Sequence, residues 1–373
     1  MMKHKPVRIL QIGMTSNIGG METYLMNQYC HLDRNKIRYD FVNITADWPM
    51  VFTDEIEANG DRVYQICRRS KNPLLHYWQW CSFFKKYGKF YDAIILNTCN
   101  LHHIFPLVIA KLVGIPIRTI HSHNSGEEEA MGIIRKLQVF INERLMRYSV
   151  NTYWACSEVA GKWMFGNQPF TVIHNAIDVQ KFEYNPMIRQ QKRNELGLQE
   201  KFVVGHVGRF SYQKNHEFLI EIFAEVAKQK NNAVLVLIGD ASSGGEMYLQ
   251  KAKHQVHKLG LEKKVLFLGM RTDVNELMQA MDCFLFPSHF EGLGIVALEA
   301  QTAGLPCFFS TAVPIDVDIT PLAHFISLQE SPRHWAKEIV ASSNIERKNM
   351  NQYIQDAGYD ITTEIERIED YYA

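Results

Sequence analysis

Short, uninterrupted apolar runs alternate with longer helical stretches along the whole chain, and that alternation limits the fold more than any other feature. In the first half the runs fall at 8–14, 39–45, 62–67, 92–98, 117–121, 152–156 and 171–174. In the second they fall at 202–207, 234–239, 265–268, 283–286 and 307–309. Runs such as AIIL and RILQI are continuous rather than alternating, as strands covered on both faces require. Helical stretches lie between them at 21–32, 102–112, 133–148, 216–228, 246–259, 274–281 and 294–303. Such a series builds a doubly wound parallel sheet with ligands at the carboxyl ends of its strands. Two series in 373 residues predict two Rossmann-like α/β domains with a ligand cleft between them. The expected division is a first domain at 1–178, a polar linker at 179–201 and a second domain at 202–355. A C-terminal helix at 356–373 is expected to pack back toward the first domain.

The chain is 46% hydrophobic and 21% charged, enough apolar material for two cores and too much for a disordered protein. A formal net charge of +0 gives no sign of a nucleic-acid binder. Residues 1–178 nevertheless hold 20 Lys/Arg against 15 Asp/Glu, and the remainder 20 against 25, a mild bias of the first half toward anionic surfaces. Seven cysteines without a C-x-x-C pair argue against a disulfide framework or structural zinc and for a reducing compartment. No signal peptide is expected from the N-terminal residues. The most apolar window, 101–120, is broken by His102, His103, Pro106, Lys111 and Pro116, so no membrane span is expected. The expected location is cytoplasmic, with peripheral contact to the inner face of the cell membrane left open.

The strongest local signal is Pro287-Ser288-His289-Phe290-Glu291-Gly292-Leu293-Gly294, running into a helix that holds Glu299 and stops at Gly304-Leu305-Pro306. A buried strand ends here in a polar turn that opens a helix. The turn's backbone N–H groups and the helix dipole favour an anion, and Gly292 and Gly294 let a diphosphate come close. A carboxylate at Glu299 suits ribose hydroxyls. Alone, Glu291 fits a helix cap and Glu299 a solvated charge; with the glycines and the Gly-Leu-Pro stop they read together as a site.

Those residues also carry a resemblance. Glu291 and Glu299 match the E-x7-E motif of retaining GT-B glycosyltransferases, and EGLGIVALEAQTAGLP resembles family 4, the glycosyltransferase group 1. IGGMET, VIHNAID, GHVGRFSYQKN, LIGD and VLFLGMRTDV agree in order, and the tail STAVPIDVDITPLAHFISLQESPRHWA is similar to bacterial CapH-like capsule and exopolysaccharide transferases. The resemblance implies a GT-B fold and a retaining transfer from a nucleoside-diphosphate sugar. It implies that Arg209 and Lys214 neutralise the donor diphosphate, that Glu291 faces the donor sugar and that Glu299 holds the ribose. Gly292, Leu293 and Gly294 form the donor turn, and Gly19 and Gly20 match the glycine loop of the first domain. It places a sugar-contacting histidine in Ile120-His121-Ser122-His123-Asn124, where strand register favours His121. His174 reads as structural, with Asn175 capping the hinge. No metal or other cofactor is expected: Asp316-Val317-Asp318 has a D-x-D form but lies away from the donor turn. The loop Ala241-Ser242-Ser243-Gly244-Gly245 departs from the family's usual continuation after LIGD and is given no role.

The acceptor is less defined. The resemblance implies a saccharide, undecaprenyl-diphosphate-linked in such pathways. Residues 68–90, RRSKNPLLHYWQWCSFFKKYGKF, mix basic and aromatic side chains on a helix that would suit an anionic membrane. The plainer account is a helix packing its aromatic face on the sheet with its lysines solvated. A soluble transferase acting on a free sugar or small metabolite is the main alternative function, and a GT-B sugar-nucleotide epimerase a lesser one. A two-domain sugar-binding protein would be expected to lack the Arg209, Lys214 and Glu299 set.

Overall fold

The structure, a computed structural model, describes residues 5–16, 19–44, 48–126, 132–241 and 244–373. The chain forms two units, one of Met1–Ala176 with Ile361–Ala373 and one of Ile177–Asp360. In the first unit the strands are β1 (Val7–Ile12), β2 (Ile37–Asn43), β3 (Val63–Gln65), β4 (Ala93–Thr98), β5 (Ile117–Ser122), β6 (Thr152–Ala155) and β7 (Thr171–Val172). They form one sheet in the order β3-β2-β1-β4-β5-β6-β7. Every pairing in it is parallel.

The second unit repeats the plan with β8 (Phe202–Val207), β9 (Ala233–Ile238), β10 (Val265–Gly269), β11 (Cys283–Phe286), β12 (Cys307–Ser310) and β13 (Ala323–Ile326). Its order is β10-β9-β8-β11-β12-β13, again all parallel. Residues of β9 and β11 are buried without exception, which is why these strands read as unbroken apolar runs. One face of this sheet is closed by Leu219, Ile220, Phe223 and Val226 of the helix His216–Gln229, together with Trp335 and Ile339 of the helix Pro332–Ala341. In both sheets the order in which strands are added reverses beside the first strand, between β1 and β4 and between β8 and β11. The loops leaving those strands part to opposite sides, and the crevice between them is where ligands bind in such folds.

The charged stretch expected as a linker folds into the second unit as the helices Val179–Phe182 and Pro186–Glu195. Its charges have partners there: Lys192 Nζ lies 2.7 Å from Asp273, and Arg189 and Arg193 both reach Asp282. Asp178, not Asn175, caps this segment, its carboxylate accepting from the N–H groups of Gln180 and Lys181. The strand β13 adds an edge that the apolar pattern did not announce, since its four residues include His324. The helix Pro73–Tyr87 buries Trp80, Phe83 and Phe84 and leaves Lys85 and Lys86 exposed together with Leu74 and Trp78. Among the described residues no helix is long and apolar enough to cross a membrane. All seven cysteines are free thiols.

Candidate functional site

In the second unit the reversal point brings together the loop after β8, residues 208–215, and the loop after β11, residues 287–294. Each is shaped by its own sequence. Gly239 (φ 148°), at the end of β9, passes so close to the first loop that a Cβ on it would stand 2.0 Å from Gly208 O. Asn215 ends that loop in the left-handed region (φ 54°), so its side chain is not the cap of the following helix. Instead its Nδ2 donates to Pro287 O at 3.1 Å. Further bonds fasten the loops to each other, Gln213 Nε2 to Phe290 O at 3.1 Å among them. His289 N donates to Gln213 O, Gln213 Nε2 donates to Glu291 Oε2 at 3.0 Å, and Lys214 Nζ donates to Glu291 Oε1 at 2.7 Å. The rings of Tyr212 and His289 stack 4.4 Å apart at the rim.

Two of the cations expected from sequence therefore sit in different states. Lys214 is largely buried, paired with the buried carboxylate of Glu291 and 4.5 Å above the ring of Phe286. Arg209 is exposed and makes no ion pair or hydrogen bond among the described residues. Gly294 (φ 85°) starts the helix Ile295–Thr302 with no side-chain cap, leaving that helix end open to an anion. A Cβ there would press Phe286 at 3.2 Å. On this helix Glu299 is 7% exposed and its carboxylate has no hydrogen-bond or ion-pair partner among the described residues. Burial raises its pKa to about 7, only partly offset by Lys181. A carboxylate held dry and unpartnered is primed to accept from hydroxyls brought by a ligand.

Sequence reasoning did not single out Gln213 or Asn215, although both stand in the quoted SYQKN segment. Nor did it see His206 and His216, whose rings lie 4.9 Å apart behind Lys214. Burial drives both to the neutral form with Lys214 adding to it, His206 to about 3 despite the opposing bond to Leu285 O.

In the first unit the crevice lies where β1, β4 and β5 end. Gly13 (φ 134°) leaves β1 so tightly that a Cβ would stand 2.4 Å from Asn97 O. Gly19 precedes the helix Gly20–His31, of which Gly20 is the first residue. The buried carboxylate of Glu22 on that helix reaches back to Thr15, accepting from its N–H and its hydroxyl. Glu22 thus ties the start of the helix to Thr15, beyond what the glycines supply.

His121 and His123 are both here, their rings 4.1 Å apart. His121 is wholly buried, packed on Tyr24 and Trp154. His123 follows the end of β5 and keeps some exposure. Gln28 Nε2 donates to Tyr24 OH, which leaves the phenol hydrogen for His121 Nδ1 at 3.4 Å. Asn97 Nδ2 donates to Gln11, so its oxygen accepts from His123 Nε2 at 3.1 Å. These partners set the tautomers: among the described residues His121 retains a free Nε2–H and His123 a free Nδ1 lone pair, both buried. Desolvation holds both rings neutral, with the pKa of His123 lowered to about 3. The register that favoured His121 thus leads to the more enclosed of the two rings. Among the described residues no cluster of three His, Cys, Asp or Glu is arranged to hold a metal ion.

The family described as Glycosyl transferases group 1 matches residues 188–357, the stretch that holds Arg209, Lys214, Glu291 and Glu299. EpsF of Bacillus subtilis, a candidate glycosyltransferase, is 31% identical over 364 residues, covering 95% of this chain and 93% of that protein. The UDP-Gal:alpha-D-GlcNAc-diphosphoundecaprenol alpha-1,3-galactosyltransferase of Escherichia coli is 31% identical over 235 residues, 59% of this chain and 58% of that one. Among solved structures, Anabaena Alr3699/HepE in complex with UDP-glucose superposes with a TM-score of 0.80 at 22% identity, over 98% of both chains. That likeness and the two doubly wound sheets give the GT-B fold. With near full-length similarity to EpsF and the family model matching 188–357, the chain belongs to the glycosyl transferases group 1, a family of glycosyltransferases.

Proposed function

We propose that the chain transfers a sugar from a nucleoside diphosphate, UDP foremost, to a lipid-linked saccharide acceptor in capsule or exopolysaccharide assembly, with retention at the anomeric carbon as in family 4. The observation that carries this reading is the open cationic end of the second crevice. Among the described residues Arg209 has no partner, Lys214 stands in the same loop, and the helix after Gly294 begins without a side-chain cap. A leaving nucleotide gains negative charge as the bond from its β-phosphate to the anomeric carbon breaks, and fixed donors in a dry site stabilise that charge. The acceptor hydroxyl forms the new bond on the same face and gives its proton to the departing phosphate oxygen, so no separate strong base is needed. Glu291, locked by Lys214 and Gln213, faces the sugar; Glu299 takes the ribose hydroxyls. The partial exposure of His123 favours it over the enclosed His121 as the sugar-contacting histidine of the first unit. No metal takes part in this scheme. The acceptor class is supported by the E. coli relative, whose name specifies a diphosphoundecaprenol-linked substrate and a UDP-sugar.

The test is turnover of a panel of UDP-, GDP- and ADP-sugars with undecaprenyl-diphosphate-linked saccharide or free sugar as acceptor, in EDTA. Arg209→Ala should lose on the order of 10²–10³ in kcat while its melting temperature stays put. Lys214→Ala should lose activity and also about 3–5 kcal/mol of stability, because it strands the buried carboxylate of Glu291. Wild-type turnover in Arg209→Ala would sink the reading, and transfer to free sugar alone would replace the lipid-linked acceptor by a soluble one.

A further inference from the structure

The helix Ile133–Ser149 of the first unit is fastened inside out. Its inward stripe is mixed, with polar anchors: Gln138 Nε2 donates to His102 O and Asn142 Nδ2 to Leu101 O, each at 2.7 Å, beside the buried Met146 and Ser149. Its outward stripe is apolar. Ile133 and Ile134 are 87% and 86% exposed, and Leu137, Phe140, Ile141 and Tyr148 continue the same face. At helical spacing these six residues cover an arc of about 120°. An amphipathic helix of a soluble domain normally turns such an arc toward the core, so a face this wide in solvent calls for a covering surface.

Charge decides what that surface is. Between residues 62 and 126 the chain carries nine Lys/Arg and a single acid, Asp92. The helix itself adds Arg135, Lys136, Arg144 and Arg147 against Glu143, which is already paired with Arg147. Arg144 lies within the apolar arc, its guanidinium 3.5 Å over the ring of Phe140. Lys111, from the neighbouring helix Phe105–Leu112, sits 3.6 Å over the ring of Tyr148, and the exposed Leu112 extends the apolar patch. The three acids Glu127, Glu128 and Glu129 precede the helix in sequence and lie outside the described residues. Two copies of the chain joined through this face would set arginine against arginine, a like-charge contact that opposes association. An anionic bilayer instead accepts the apolar arc at its acyl boundary and the basic rim at its phosphates, with Arg144 reaching up along the ring it covers.

We propose that the helix Ile133–Ser149 is a membrane-docking element that seats the first unit on anionic phospholipid. The inference deepens the reading of a lipid-linked acceptor, but its test needs no acceptor, so either can fail alone. Full-length protein is sedimented with vesicles of phosphatidylglycerol and phosphatidylcholine in equal parts, and with phosphatidylcholine alone. Binding should be about tenfold or more stronger to the anionic vesicles and should weaken with salt. The triple variant Ile134→Ser, Leu137→Ser, Ile141→Ser removes only exposed side chains and should keep its melting temperature and its stabilisation by UDP-sugar while losing vesicle binding about tenfold or more. Replacing Lys136, Arg144 and Arg147 by Gln should abolish the preference for anionic lipid. Equal sedimentation of wild type and the triple variant, or no binding by the wild type, overturns the proposal. So does a wild-type dimer in light scattering that the triple variant turns into a monomer, which would assign the face to a second copy.

Discussion

Among single residues, Glu299 shows most directly how a site can run against the stability of its own fold. Its pKa, raised by burial to about 7 from an ordinary 4.5, means the folded chain holds a proton at pH 6 that the unfolded chain has lost. Stability from this group therefore falls as pH rises from about 4.5 to about 7 and stays low above that. Glu299→Gln removes the dependence. The variant should be more stable than wild type at pH 8, by up to about 3 kcal/mol, and the two should converge near pH 4.5 in denaturant titrations. Ribose hydroxyls donating to the carboxylate would favour its ionised form, so donor binding at pH 6–7 should release a proton. Calorimetry in buffers of different ionisation enthalpy measures that release, and it should vanish in Glu299→Gln. Equal proton release in the variant would remove Glu299 from the donor site.

At the scale of elements, the reach of the sequence follows from what each element has to satisfy. The strand β11 was legible to the residue because a strand buried on both faces reads as an unbroken apolar run. The edge strand β13 was not, since it needs only one neighbour and carries His324 in its span. The charged helix Pro186–Glu195 looked like a linker for a related reason: its Lys192 and Arg193 are paid for by acids some eighty residues away, a pairing no local pattern contains. In the site, Glu291, Glu299, Arg209 and Lys214 could be found by type and spacing. The clasp of Gln213 and Asn215 on the second loop could not, because those contacts exist only once β8 and β11 lie side by side. The turn after β1 offers a test at this scale. Gly13 has φ 134° and its missing Cβ leaves room for Asn97 O. Gly13→Ala should cost about 1–3 kcal/mol from the backbone alone, and the shift it forces on Asn97 would disturb the acceptor of His123 Nε2. A variant with unchanged stability would show that β1 and β4 tolerate separation there.

At the scale of the whole molecule, the last helix is distant in sequence from the unit it completes. Ile361–Tyr372 belongs with Met1–Ala176, although the entire second unit intervenes. It buries Ile361, Ile365, Ile368 and Tyr372, and Glu369 accepts from Asp33 N and pairs with Lys36 at 2.7 Å. Tyr371 and Tyr372 pack on Trp154, the residue beside His121 in the sheet. Removing residues 361–373 therefore uncovers the first unit's core near its histidines and leaves every strand of the second unit in place. The four buried apolar side chains are worth about 1.5–3 kcal/mol each when fully covered, comparable with the whole stability of a domain of this size. The truncated chain should lose the lower of two unfolding transitions, or show it at a markedly lower temperature, and should lose transfer activity. Its remaining transition should still rise on addition of UDP-sugar, because Arg209, Lys214, Gly294 and Glu299 all belong to the second unit. Calorimetry with and without the donor reads both effects. A single transition that drops as a whole and no longer responds to the donor would mean that the two units fold as one cooperative body and that the donor site depends on the first.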